Sequence, residues 1–308
     1  MLADIDSIRL HFDRTTLLLL NIILGFVMYG VALDIRPEDF RRIVREPIPV
    51  VIGLIAQFVL LPAVSFGLVL LLDPHPGIAL GMLLVACCPG GNISNFITQL
   101  ARGNVALSVT LTAASTVGAT FLLPLNFTLW TALWVVCRPD LHFEFHRLQL
   151  QAVDMFGTVL VLLALPLLAG MLTTHRWPGV AARLRKPLRV VSLLFLIAFI
   201  GGALYANRTF FLDYIDRIAG LVLLHNGAAL LVGYLAARAS GMDEANRRAI
   251  MFETGIQNSG LALVLIFDFF EGRGALALIA AWWGVWHIVS GLSLATAFAY
   301  RDRNKIRR

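Results

Sequence analysis

Residues 78–95 read IALGMLLVACCPGGNISN, and residues 249–262 read AIMFETGIQNSGLA. Each stretch begins as an apolar helix and then meets helix breakers among clustered polar side chains. In the first these are Pro89-Gly90-Gly91-Asn92-Ile93-Ser94-Asn95, and in the second Glu253-Thr254-Gly255-Ile256-Gln257-Asn258-Ser259-Gly260. Proline removes a backbone donor and collides with the preceding turn, and glycine lowers helix propensity. At bilayer depth, non-helical backbone survives only where it is buried in protein or lines a cavity. Paired interruptions in two halves of a chain point to a transporter's binding site. These two stretches therefore decide the fold class.

The rest of the chain supplies the membrane context. Of its 308 residues 58% are hydrophobic and only 14% are charged, well below the roughly 25% of a soluble domain. Apolar runs near the length of about 20 residues needed to cross a bilayer recur along it. Nine are read, at 17–33, 49–72, 78–100, 105–136, 153–172, 190–206, 218–237, 249–270 and 275–299. The interrupted spans are the third and the eighth. Five spans apart, they run in opposite directions, the signature of an inverted repeat: a five-plus-five plan lacking its first span. The fold class expected is all-α and polytopic, with two crossed discontinuous helices.

The net charge of +6 does not point to nucleic acid, because every Lys and Arg lies outside the nine segments. Alternate loops carry 18 on one side and 7 on the other, counting the tail Arg301, Arg303, Lys305, Arg307 and Arg308 with the larger set. The positive-inside rule then places residues 1–14 outside the cell membrane and the basic tail 300–308 in the cytoplasm. Residues 1–14 carry three Asp and no apolar run, so no cleaved signal is expected. Cys87, Cys88 and Cys137 lack metal or disulfide spacing and read as packing residues. The loop 37–45 fits either a short amphipathic helix or a plain basic loop. His142 and His146 in the long segment 137–151, and the sequon Asn207-Arg208-Thr209, carry no assignment. Pro124 and Pro166 are expected to kink their helices.

Glu253 is the strongest single signal. It is the only carboxylate well inside a span, and no Lys or Arg lies at that depth to pair with it. An acid at mid-membrane costs roughly 2.5–3.5 kcal/mol on insertion scales. A cation or a proton must balance it; the structural alternative is a protonated acid holding helices together. Gln57, Ser94, Asn95, Ser108, Thr112, Gln257 and Asn258 offer neutral oxygens. One carboxylate among such oxygens suits a monovalent hard cation. Ser108 and Thr112 share a helix face at i,i+4. No paired carboxylates and no Ser-His-Asp arrangement are legible, so an enzyme is not expected, and no large soluble domain suggests a receptor.

Several motifs together resemble the bile acid:sodium symporter family, over residues 28–299. They are Cys88-Pro89-Gly90-Gly91-Asn92-Ile93-Ser94-Asn95, Ala101-Arg102-Gly103-Asn104-Val105-Ala106-Leu107-Ser108, Glu253-Thr254-Gly255-Ile256-Gln257-Asn258-Ser259-Gly260-Leu261-Ala262, Leu224-His225-Asn226-Gly227 and Val285-Trp286-His287. The resemblance implies a core domain, at 47–136 and 217–299, and a panel domain, at 15–34 and 152–206. It implies two Na⁺ ions, the first held by Ser94, Asn95, Ser108, Thr112 and Glu253. The second would be held by Gln57, Glu253 and Gln257 with the carbonyls of Thr254 and Ile256. Asn92, Asn258 and His287 would contact an organic anion between core and panel, whereas His225 reads as a core histidine. Asn92 and Ile288 depart from the family pattern at substrate-facing positions, so a smaller carboxylate is expected as readily as a bile acid. The expected activity is sodium-coupled symport by alternating access; the alternative is a proton-coupled anion carrier or exporter on the same fold.

Overall fold

The computed structural model describes residues 14–35, 37–138, 157, 159–206 and 208–306. They form twelve helical elements: α1 (Arg14–Asp34), α2 (Pro37–Arg45), α3 (Pro47–Leu72), α4 (Pro76–Cys87), α5 (Ile93–Leu100), α6 (Val105–Cys137), α7 (Leu160–Arg176), α8 (Pro178–Ala206), α9 (Arg208–Ala239), α10 (Glu244–Gly255), α11 (Ser259–Phe269) and α12 (Gly274–Ile306). Residues 1–13, His142, His146 and Asn207 lie outside the described residues.

Among the described residues, four segments are long and apolar enough to cross a membrane: Pro47–Leu72, Val105–Cys137, Ile218–Ala239 and Gly274–Asn304. On α6 the large apolar residues Phe121, Leu125, Leu129, Leu133 and Val136 are exposed. Their spacing of three or four residues puts them on one face, which only lipid can cover without cost. The protein is therefore an all-α, multi-pass membrane protein. The expected third and eighth spans are each two short helices, of 12 and 8 residues (α4, α5) and of 12 and 11 (α10, α11). At 1.5 Å per residue none reaches across a hydrocarbon core of about 30 Å.

The helices overrun the apolar stretches that announced them. The segment 37–45 is helical, so the amphipathic reading holds over the basic loop. α10 begins five residues before the expected span, and that added turn carries the buried Arg248. Arg248 donates to Asp302 at 2.6 and 3.1 Å and to the Ala101 carbonyl at 2.6 Å, and it lies over the Phe298 ring. A buried cation needs such partners, and Asp302 can supply one because α12 continues into the basic tail. Cys137 is exposed at the end of α6 instead of packed, whereas Cys87 and Cys88 are buried.

Pro124 sits inside the unbroken α6. Pro166 follows a π-turn at Leu160–Ala164, and Pro62 follows another at Ala56–Leu60. A proline cannot donate to the turn before it and crowds that turn's carbonyl; a widened turn relieves both. The second π-turn contains Gln57.

Two packing groups emerge. α1 packs on α7 and α8, while α3 to α6 and α9 to α12 pack on one another. α1 approaches α7 at Gly170, where a Cβ would lie 2.9 Å from the Tyr29 carbonyl. The groups touch between α6 and α7, between α8 and both α9 and α12, and between α1 and α11, where Asn21 Nδ2 donates to Asp268 at 3.2 Å.

Candidate functional site

The site is built where the two interrupted helices meet. At the end of α4 the Cys88 amide returns to the Val85 carbonyl at 3.2 Å, and Cys88 then turns extended, as a residue before proline must. At the end of α10, Ile256 is extended too. The freed strands pair antiparallel at Gly90 and Gln257. The Gly91 amide donates to the Ile256 carbonyl at 2.7 Å, and the Asn258 amide to the Pro89 carbonyl at 2.9 Å. Backbone groups that lipid cannot satisfy thus satisfy each other. The glycines permit the approach: a Cβ on Gly91 would sit 3.1 Å from the Gln257 carbonyl oxygen, and one on Gly90 would run into the Glu253 carboxylate.

Glu253 lies one turn before this crossing and is buried. Its Oε2 accepts from Ser94 Oγ at 2.7 Å and Thr112 Oγ1 at 2.8 Å, and its Oε1 accepts from Ser115 Oγ at 3.2 Å. Asn95 Oδ1 accepts from Ser108 Oγ at 2.7 Å and Thr112 Oγ1 at 3.3 Å. The five residues expected around a first ion, from α5, α6 and α10, therefore form one connected cluster. Among the described residues, no Lys, Arg or His hydrogen-bonds to the carboxylate in it. Among the described residues no group of three or more His, Cys, Asp or Glu gathers, so the donors are hydroxyl, carboxamide and a single carboxylate.

The second expected set also gathers. Gln57 Nε2 donates to the Cys88 carbonyl at 2.7 Å and to Gln257 Oε1 at 2.9 Å, and Gln257 Nε2 donates to the Thr254 carbonyl at 2.6 Å. The Ile256 carbonyl takes the Gly91 amide, which leaves it one lone pair. The Thr254 hydroxyl is buried without a hydrogen-bond partner.

The expected substrate contacts are less tightly joined. Asn92 is exposed at the start of α5, and Asn258 caps α11, its Oδ1 accepting from the Leu261 amide at 3.0 Å. Both therefore stand at helix N-termini that open at the crossing, where the partial positive charge of unpaired amides favours an anion. His287 is on α12, buried, with an unpartnered Nδ1. One turn on, Gly291 lets α12 close on the crossing; a Cβ there would meet Ile97 at 2.8 Å and Ile256 at 2.9 Å. His225 is a packed histidine, with Nε2 2.6 Å from Ser65 Oγ and its ring edge-on to Trp283.

Sequence reasoning passed over three residues here. Ser115 continues the face of Ser108 and Thr112 at i+7, a spacing that could have revealed it. Thr98 lies one turn beyond Ser94 and is 3.3 Å from Ser108 Oγ. Asn226 belongs to a motif that gave it no role; its Nδ2 donates to the Gly255 carbonyl at 2.7 Å.

A model of the sodium bile acid symporter family matches residues 21–213. The chain is 35% identical over 286 residues to a Bacillus subtilis protein named as a sodium-dependent transporter, YocS, across 93% of this chain and 84% of that one. It is 30% identical over 259 residues to the human ileal sodium/bile acid cotransporter, across 80% of this chain and 68% of that one. A rice chloroplast protein named as a sodium/metabolite cotransporter, BASS1, is 30% identical across 88% of this chain and 64% of its own.

Proposed function

The chain belongs to the sodium bile acid symporter family, and from that premise we propose that it is a secondary active transporter coupling sodium to the movement of an organic anion. The observation that carries the reading is the buried, singly acidic Glu253 among Ser94, Thr112 and Ser115 at a paired crossing of two broken helices. Two sodium ions are the transported cations. Ser94, Asn95, Ser108, Thr112 and Glu253 hold one. Gln57, Gln257, Glu253 and the carbonyls of Thr254 and Ile256 hold the other. The anion, bile-acid-like or a smaller carboxylate, meets the N-termini of α5 and α11 with Asn92, Asn258 and His287.

The Thr112 and Ser115 hydroxyls can serve both states of such a site. Each has one proton and two places to put it. Thr112 Oγ1 is 2.8 Å from Glu253 and 3.0 Å from the Ser108 carbonyl; Ser115 Oγ is 3.2 Å from Glu253 and 3.2 Å from the Thr112 carbonyl. Without sodium the protons face the carboxylate. With sodium they turn to the helix carbonyls, and the oxygens offer lone pairs to the ion. Neither state leaves these two hydroxyls without an acceptor, so their turning opposes binding little. Ser115→Ala removes one such hydroxyl from Oε1. The sodium concentration for half-maximal uptake rises about three- to tenfold, the net worth of one ordinary hydrogen bond, read from uptake against sodium concentration; an unchanged value removes Ser115 from the ion's surroundings.

The nine-span inverted-repeat plan, with N-terminus outside and C-terminus in the cytoplasm, frames the cycle. α1, α7 and α8 act as the panel (15–34 and 152–206), and α3 to α6 with α9 to α12 as the core (47–136 and 217–299). Sodium occupancy orders the crossing and raises anion affinity, and the anion raises sodium affinity by the same factor. Rocking of panel against core then exchanges access.

Proton coupling is the competing reading. The protein in proteoliposomes, given a labelled bile acid or a labelled small carboxylate, takes up anion when sodium is outside and falls to background when potassium replaces it at constant pH. Full uptake in sodium-free buffer driven by a pH gradient overturns sodium coupling.

A further inference from the structure

Two carboxamides occupy equivalent places beside the two breaks. Gln57 is on the helix before α4, and its Nε2 donates to the carbonyl of Cys88, the last residue before Pro89, at 2.7 Å. Asn226 is on the helix before α10, and its Nδ2 donates to the carbonyl of Gly255, the last residue of α10, also at 2.7 Å. The separations along the chain are 31 and 29 residues. The final carbonyls of a helix have no partner within it, and lipid supplies none. For α10, the Phe252 carbonyl takes the Ile256 amide at 2.9 Å, the Thr254 carbonyl takes Gln257 at 2.6 Å, and the Gly255 carbonyl takes Asn226.

Their other ends diverge. Gln57 Oε1 accepts from Gln257 Nε2 at 3.2 Å, inside the second ion set. Asn226 Oδ1 accepts from Ser290 Oγ at 2.6 Å, on α12. That same hydroxyl reaches the His287 carbonyl at 3.1 Å. Asn226 is wholly buried, and the face it starts on α9 fits α10 closely. Leu230 fills the space a side chain on Gly255 would need, and a Cβ on Gly233 would sit 2.7 Å from the Ile250 carbonyl oxygen.

We infer that Asn226 is a positioning residue for sodium coupling. By holding the Gly255 carbonyl it sets the directions of the adjacent Thr254 and Ile256 carbonyls. Through Ser290 it ties that geometry to the helix that carries His287. Ion occupancy at the break and anion occupancy along α12 thereby bias one shared element, which is the physical content of coupling between sites. The inference rests on the sodium symport reading above.

The test uses the purified full chain. Its thermal unfolding is followed over a sodium chloride series, with potassium chloride holding ionic strength constant, since an ion that binds the folded state stabilises it by mass action. Asn226→Ala raises the sodium concentration giving half the stabilisation about tenfold, and Ser290→Ala about threefold, the range of one or part of one buried hydrogen bond. Ser290→Thr keeps the hydroxyl and stays at the wild-type value. A lower unfolding temperature in potassium with an unshifted sodium midpoint makes Asn226 merely structural and overturns the inference. Wild-type protein stabilised no better by sodium than by potassium overturns the symport reading and the inference with it. Should Asn226→Ala not fold, Ser290→Ala against Ser290→Thr decides alone.

Discussion

Glu253→Ala protein takes up no anion in response to a sodium gradient, yet it folds. Glu253 is the one formal negative charge in the clustered oxygens around Ser94, Thr112 and Ser115. Two unit charges 4 Å apart attract by roughly 4 kcal/mol at an effective dielectric near 20, about a thousandfold in affinity. Neutral hydroxyls and carboxamides do not replace that. Glu253→Gln keeps the shape and loses the charge, so it fails to nearly the same extent. Stability should not fall with activity. A mid-membrane carboxylate without its cation is itself unfavourable. Once it is gone, Thr112 and Ser115 retain the carbonyls of Ser108 and Thr112 as acceptors, and only Ser94 Oγ loses its partner, a smaller cost than the buried charge. The unfolding temperature in potassium therefore equals or exceeds that of wild type, while the extra stabilisation by sodium disappears. Uptake from proteoliposomes, paired with unfolding in each salt, reads both quantities. Sodium-driven uptake within tenfold of wild type would sink the assignment of Glu253.

Gly90→Ala is the second large effect. Its cause is contact alone, because Gly90 is not among the residues with positive φ and alanine can adopt its backbone. The added methyl would stand 2.6 Å from the Glu253 carboxyl carbon and 3.1 Å from the Glu253 backbone oxygen, against an ordinary contact of 3.4 Å or more. Both neighbours are fixed: the carboxylate by three hydroxyls, the backbone by the antiparallel bridge at Gln257. Relief requires turning the carboxylate away from Ser94 and Thr112. Overpacking of this kind costs about 1–3 kcal/mol, so sodium-driven uptake falls about 10- to 100-fold. Gly67, on α3, is the control, because an added methyl there would have nothing within 4 Å; Gly67→Ala transports as wild type does. Equal rates for Gly90→Ala and Gly67→Ala would place the carboxylate elsewhere than against Gly90.

Much of the site was legible in the sequence because its signals are local. A Pro-Gly-Gly run or a Glu-Thr-Gly-Ile-Gln-Asn run interrupts a helix wherever it folds. The two groups at Ser94-Asn95 and Ser108-Thr112 follow from spacing along single helices. The boundaries were less legible. Hydropathy registers only the apolar part of a helix, so the turn with Arg248 and the extension of α12 to Asp302 were hidden although they complete one ion pair. The π-turn that carries Gln57 has no composition of its own; its cause, Pro62, lies after it. Ser115 and Asn226 look like ordinary helix residues until a partner from another helix arrives.

Sequence by itself determined that the chain lives in lipid, that two spans must break, and that one acid sits unpaired at depth, since each follows from the free energy of a short segment in hydrocarbon. Tertiary structure alone decided that Gly90 pairs with Gln257, that Ser94 reaches Glu253 across 159 residues of chain, and that Asn226 takes the carbonyl α10 leaves over. Backbone groups freed by a break in lipid must find protein partners, and which partners they find is set by how the helices pack together, a property that no single segment contains.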